Sequence, residues 1–212
     1  MRLIGASFLI FIPQSSLYMK KLIFIFCFLL FNLNFAQEFN FEEKYNTLIE
    51  YLEKENWSEA EALSKILLNS TEANSNMQTE TMVLRYMYIY SSAGLLNDKK
   101  ISKEEALKKV QFLKGKEFIM ASHPFKEDCY NNCTSFANEA KNTFFTGVNN
   151  KKATQILCFE YVNIPNGIKE NAEELDGKII SLKGTLQEIS VDGNILPRYQ
   201  LRFSDGEYNV QN

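Results

Sequence analysis

"GKIISLKGTLQEIS", residues 177–190, sets how the second half of this chain folds. Its apolar residues alternate, with Ile180, Leu182, Gly184 and Leu186 on one side, the period of a half-buried strand. "VDGN" (191–194) follows and supplies Asp-Gly, a hairpin signal. "RYQLRF" (198–203) then puts Tyr199, Leu201 and Phe203 on one face and Arg198, Gln200 and Arg202 on the other. "SDGE" (204–207) reads as a second Asp-Gly turn and "YNV" as a return strand, so a three-stranded meander is expected.

Upstream, "KEFIMAS" (116–122) and "ATQILCFEYVNI" (153–164) read as two further strands, the second ended by Pro165 and Gly167. Between them, Cys133, Phe136, Ala137, Ala140 and Phe144 recur at helical spacing, which predicts a helix closed by Gly147. "IKENAEEL" (168–175) predicts one short helical piece.

Before Lys116 the texture is helical. Phe41, Tyr45, Leu48, Ile49 and Leu52 share one face of a helix over 41–54. Ser58 and Glu61 have capping-box spacing for a second helix, with Ala60, Leu63, Ile66 and Leu67 as its stripe. Residues 78–93 are apolar nearly all round, which suits a helix buried between neighbours, with Gly94 as a stop. Ser102 and Glu105 repeat the capping-box spacing before a fourth helix. The expected class is α+β: helical hairpins over 37–114, then a β-rich region over 115–212.

Two resemblances attach to these residues. Leu48, Tyr51 and "ENWSEAEAL" (55–63), with Trp57 in an aromatic place and Ala60 in a small one, resemble a tetratricopeptide repeat. Ala106 takes the matching place in the second pair, so the likeness covers about 41–113. It implies a groove that holds a peptide or partner; a plain helical platform is the structural alternative. "GKIISLKGTLQEI" and "YQLRFSDGEYNVQ", about 177–211, look like the opening strands of an OB-fold, with Gly184 where that family bends its first strand. That likeness implies a five-stranded barrel or sheet, completed by strands 116–122 and 153–164 from the N-terminal side.

The first 36 residues belong to neither half. "MKKLIFIFCFLLFNLNFA" (19–36) has Lys20 and Lys21, an apolar run over Leu22–Leu33, and Ala36 for cleavage before Gln37. That is the anatomy of a secretory signal peptide, and the run is short of the ~20 residues that span a bilayer. Residues 1–18 are read as an over-extended start ahead of Met19. An uncleaved anchor over 1–36 is the alternative. Cleavage removes Arg2, Lys20 and Lys21 and no acid, so the mature chain is more acidic than the formal −3. An acidic exported protein is a poor partner for nucleic acid, whose phosphates call for Lys and Arg.

Chemistry is sparse. The 212 residues contain one histidine and four cysteines. No phosphate-binding glycine loop and no Gly-x-Ser-x-Gly elbow occurs. His123 is read as a surface or packing histidine, with Ser122 and Ser135 near in sequence and no assignable triad. Cys129 and Cys133 are the favoured disulfide, with a helix entering at Cys133 behind the caps Asn131 and Asn132. A bridge from Cys158 to either stays open. Zinc held by His123, Cys129, Cys133 and Cys158 lacks a Cys-x-x-Cys knuckle, and a redox site lacks the same spacing. No metal or cofactor is therefore expected. Lys183, Arg198 and Arg202 form a possible ligand-facing row, against the alternative of a solvated sheet face.

The expected role is non-enzymatic: a periplasmic or secreted interaction or scaffold module for a protein or peptide partner in the cell envelope, with no membrane span after cleavage. The alternative is a small-ligand or glycan-binding OB-like domain using Lys183, Arg198 and Arg202. An envelope thiol enzyme or hydrolase ranks third.

Overall fold

The computed structural model describes residues 40–137 and 141–211, so the signal-peptide reading and Ala140 lie outside the described residues. From Phe41 onward the chain forms one compact α+β unit. Its helices are α1 (Phe41–Glu53), α2 (Trp57–Glu72), α3 (Gln78–Asn97), α4 (Lys103–Val110) and the single-turn α5 (Ala172–Leu175). Its strands are β1 (Glu117–Ile119), β2 (His123–Pro124), β3 (Cys133–Phe136), β4 (Thr143–Asn149), β5 (Ile156–Asn163), β6 (Ile179–Asp192) and β7 (Arg198–Gln211). Among the described residues no helix is long and apolar enough to cross a membrane.

Helix α3 is the centre of the molecule. It packs on α2 and α4 and also on β1, β5 and β7, which is why its sequence lacks a polar face. Leu84, Tyr88, Ile89, Ala93 and Leu96 are buried along it. Gly94 does not end this helix. It lies inside it, and the Trp57 ring occupies the space where a Cβ at this position would go. At its C-terminus the Asn97 amide donates to the Pro197 carbonyl at 3.1 Å, tying the helix to the β6–β7 loop.

The α2 terminus also differs from expectation. The helix begins at Trp57, Ser58 is exposed in its first turn, and the N-cap Asn56 makes no side-chain cap bond. Burial of Trp57 against α3 draws it into the helix. Leu68 rather than Ile66 completes the buried stripe, and Ile66 stands 52% exposed. At α4 the Ser102 hydroxyl accepts from the Glu105 N–H.

The sheet has seven strands, not five, in the order β1-β6-β7-β5-β4-β3, with β2 also paired to β6. Only β5 and β7 are parallel; the other pairs are antiparallel. A bridge between Phe125 and Thr134, with the Lys126 N–H donating to the Thr134 carbonyl at 2.9 Å, joins the segment after β2 to β3. The sheet thus curls until the segment after β2 meets β3. Phe125, Phe136, Phe144 and Tyr208 pack ring to ring in sequence within that curl, at centroid distances of 4.9, 5.9 and 5.3 Å, the middle pair stacked and the outer two edge-to-face.

Two predicted elements are corrected. The helix expected from Cys133 to Gly147 is the β3–β4 hairpin, with Cys133 opposite Gly147 and Phe136 opposite Phe144. Asn132, expected as a helix cap, has φ 49° and leads into a strand. The second Asp-Gly turn is absent, because β7 runs unbroken through it. Lys183 pairs with Glu207 and Thr185 with Ser204, leaving Asp205 and Gly206 opposite the single Gly184. This is a bulge, with Asp205 at φ 50°, and the meander is one long hairpin.

Candidate functional site

A cleft of about 310 Å³ opens between α1, α3, the β1–β2 segment and the end of β4. Leu52 of α1, Val83 and Met87 of α3, and Ile119 of β1 make its walls apolar. Four polar side chains share the lining: Tyr86, Tyr90, His123 and Asn149. All but Tyr90 carry a buried atom without a hydrogen-bond partner: Tyr86 Oη, His123 Nε2 and Asn149 Oδ1. Tyr86 and Asn149 are only 8% and 6% exposed, so these atoms are shielded from bulk water. Buried polar atoms are ordinarily satisfied, so three unpartnered ones among the lining residues mark this cleft as the candidate site.

Local structure explains their placement. Tyr86 and Tyr90 are four residues apart on α3, hence on one helix face, with rings stacked 6.5 Å between centroids. The Tyr90 hydroxyl donates to the Asn149 carbonyl at 2.9 Å. Asn149 sits where the β4–β5 register shifts. Its N–H donates to Asn132 Oδ1 at 3.2 Å, and the Asn132 N–H donates to the Gly147 carbonyl at 2.6 Å. Cys129 and Cys133 bracket that turn in a disulfide, with Cα atoms 5.7 Å apart. The turn lies directly on Gly147, where the Tyr130 carbonyl fills the place of any Cβ.

Behind Tyr86 lies Glu160 of β5, fully buried, with neither carboxylate oxygen completing a hydrogen bond. Burial pushes its carboxyl up to about 8, and the facing Tyr86 hydroxyl offsets part of that rise. The group is therefore protonated and neutral at pH 7. Burial also drives the neighbouring Cys158 thiol up and lowers His123 below the ordinary histidine range. The resting cleft is lined by neutral groups.

His123 is in the cleft lining, while the cationic row expected from sequence falls elsewhere. Arg198 and Arg202 stand together on the outer face of the sheet, each 4.7 Å over a ring, Phe159 and Tyr161 respectively. Each also faces an acid, Asp192 at 3.6 Å and Glu188 at 3.8 Å. Lys183 does not join them. It lies further back on β6, 3.2 Å from Glu117 and 3.9 Å from Glu207. All three cations are thus engaged with acids of the sheet itself. Cys158 is the free thiol among the described residues and is buried. Ser122 bonds Ser181 at 2.7 Å, and Ser135 is buried in β3.

Sequence reading did not find the cleft, which gathers side chains from position 52 to position 149. One signal was present: Glu160 is the sole charge within the apolar run "ILCFEYVNI" (156–164). Among the described residues no group of three His, Cys, Asp or Glu is placed to hold a metal ion. Comparison of the chain with protein-family models, with curated proteins and with solved structures finds no match.

Proposed function

We propose that this is an exported, non-enzymatic binding protein whose cleft between α3 and the β1–β2 segment holds a small ligand with an apolar body and one polar end. One observation carries the reading: an apolar cleft of about 310 Å³ is lined by two nine-tenths-buried polar side chains, Tyr86 and Asn149, each with a polar atom that lacks a hydrogen-bond partner. The cleft volume is at the small end of the ~300–1,000 Å³ usual for ligand sites. Periplasmic or secreted placement is supported by the segment "MKKLIFIFCFLLFNLNFA" and agrees with a disulfide between Cys129 and Cys133. The tetratricopeptide-like and OB-like segments serve in this reading as supports that bring α3 and the sheet together around the cleft.

A thermal-shift series with short alkyl compounds carrying different polar ends tests binding. At least one should raise the melting temperature of the full chain, and Met87→Trp, which fills the cleft, should abolish the shift. No shift with any of them rejects the reading. N-terminal sequencing of the exported protein should begin near Gln37; a start at Met1 or Met19 rejects cleavage.

A partner-binding role is a second reading, supported by Ile195 and Leu196, 78% and 51% exposed at the tip of the β6–β7 hairpin. Ile195→Asp with Leu196→Asp should then release a partner captured from envelope extract, while ligand binding in the cleft stays unchanged.

A further inference from the structure

Resting on the small-ligand reading above, we propose that the ligand is a free single-chain amphiphile, an unbranched alkyl chain of roughly ten carbons that enters tail first and leaves its polar end in water at the mouth. The lining contains no Asp, Glu, Lys or Arg. Its walls are aliphatic or thioether, from Leu52, Val83, Met87, Ile119, Met120 and Val148. The polar side chains offer a ligand little. The Tyr90 hydroxyl donates to the Asn149 carbonyl at 2.9 Å, and the Tyr86 hydroxyl is set against Glu160. Tyr86 Oη, His123 Nε2 and Asn149 Oδ1 are themselves buried. A sugar, a nucleoside or an amino acid would give up its hydration here and find no charged group and few polar atoms to replace it. A hydrocarbon chain has no such hydration to lose.

Exposure orders the lining from floor to mouth. Met120 and Val148 are buried, Leu52, Val83, Met87 and Ile119 are half-buried, and Ala121 is exposed. The floor is therefore apolar and the opening lies toward Ala121. An amphiphile gains most with its apolar end on that floor and its polar end still hydrated at the opening. Met87 and Met120 are unbranched and polarizable, so the walls can follow a flexible chain. The volume of about 310 Å³ equals roughly ten waters of ~30 Å³ each, and a methylene takes about the space of a water, which sets the chain length.

Titration calorimetry of the full chain with hexanoate, octanoate, decanoate and dodecanoate tests this. Affinity should rise about fourfold per added methylene, about 250-fold from hexanoate to decanoate, and level off at dodecanoate. Decanedioate, charged at both ends, should bind at least about a hundredfold more weakly than decanoate, because one carboxylate would have to leave water. Decyltrimethylammonium should match decanoate within about tenfold, since the head stays outside. Val83→Phe takes up part of the cleft and should move the levelling-off down to octanoate. That shift in length, unlike a plain loss of binding, cannot come from misfolding, and an unchanged limit overturns the assignment to this cleft. Equal binding of hexanoate and decanoate, or of decanedioate and decanoate, overturns the tail-first chain. A larger preference for either head overturns the position of the polar end. Tighter binding of 2-naphthol than of decanoate replaces the chain by a flat ring. Each of these outcomes leaves the ligand reading standing; if no probe binds, the ligand reading falls as well. The protein should not sediment with phosphatidylcholine vesicles; sedimentation reversed by decanoate would move the chain from a free amphiphile to a bilayer lipid.

Discussion

Strands β5 and β7 run side by side, and their two faces differ by a single residue step. Phe159 and Tyr161 point outward under Arg198 and Arg202, and each of those cations faces an acid. Cys158, Glu160 and Val162 point inward with Tyr199, Leu201 and Phe203, toward α3 and the interior of the curled sheet. The outer face holds charges at the edge of water, where exposed pairs are worth little. The inner face holds one acid with no counter-charge, where the cost of ionisation decides its state. Opposite electrostatic regimes thus occupy alternate residues of the same strands. Charge on the outside of this sheet is ordinary, and charge on the inside calls for a reason.

The contrast can be broken in graded steps. Leu201→Ala removes a fully buried side chain beside Glu160 and should cost about 2–5 kcal/mol, measured by urea unfolding. Glu160→Gln should act in the other direction and depend on pH. The folded carboxyl, raised to about 8, keeps a proton that the unfolded chain sheds near its ordinary 4.5. Folded stability is therefore full below that ordinary value and falls as pH rises toward 8, by about 1.4 kcal/mol per unit. The glutamine variant should match wild type at pH 5 and exceed it by a few kcal/mol at pH 9, on the order set by that slope. Equal stability at both pH values would mean that Glu160 is not held neutral.

Tyr199→Phe deletes a buried hydroxyl 2.9 Å from Ser92 and leaves that serine with one partner fewer, an expected loss of about 1 kcal/mol. Arg202→Ala on the outer face should cost under about 1 kcal/mol, and less in high salt, because its pair with Glu188 is exposed. A loss from Arg202→Ala as large as that from Leu201→Ala would erase the distinction between the faces.

Much of the fold was legible. The four longer helices, the β5 run and the alternation of 177–203 all carry a period that burial enforces. Cys133, Phe136 and Phe144 misled because their spacing fits a helix face, while "CTSF" (133–136) and "TFFTGVN" (143–149) are rich in residues that suit strands. Strand β3 is buried on both faces for three of its four residues, which removes the alternation that would mark it. "SDGE" misled for a different reason. Asp-Gly supplies a positive φ, and both a turn and a bulge use it; only pairing with β6 selects the bulge. The cleft was illegible because its lining meets only in three dimensions. Glu160 alone announced it, as a charge where the pattern called for an apolar residue.

The position of β6 in the sheet governs the order in which this protein can become itself. It pairs with β1, β2 and β7, and β7 in turn receives β5. Strands β1 and β2 therefore wait for β6, and the β3–β4–β5 group, paired within itself, waits for β7 to join it to the rest of the sheet. During synthesis, α3 emerges with its apolar circumference complete and no sheet to receive it. Pairings this distant along the chain make for slow assembly. In the unfolded chain Glu160 behaves as an ordinary ionised acid, and burial against α3 and β7 makes it take up a proton, so closing this sheet is itself a protonation.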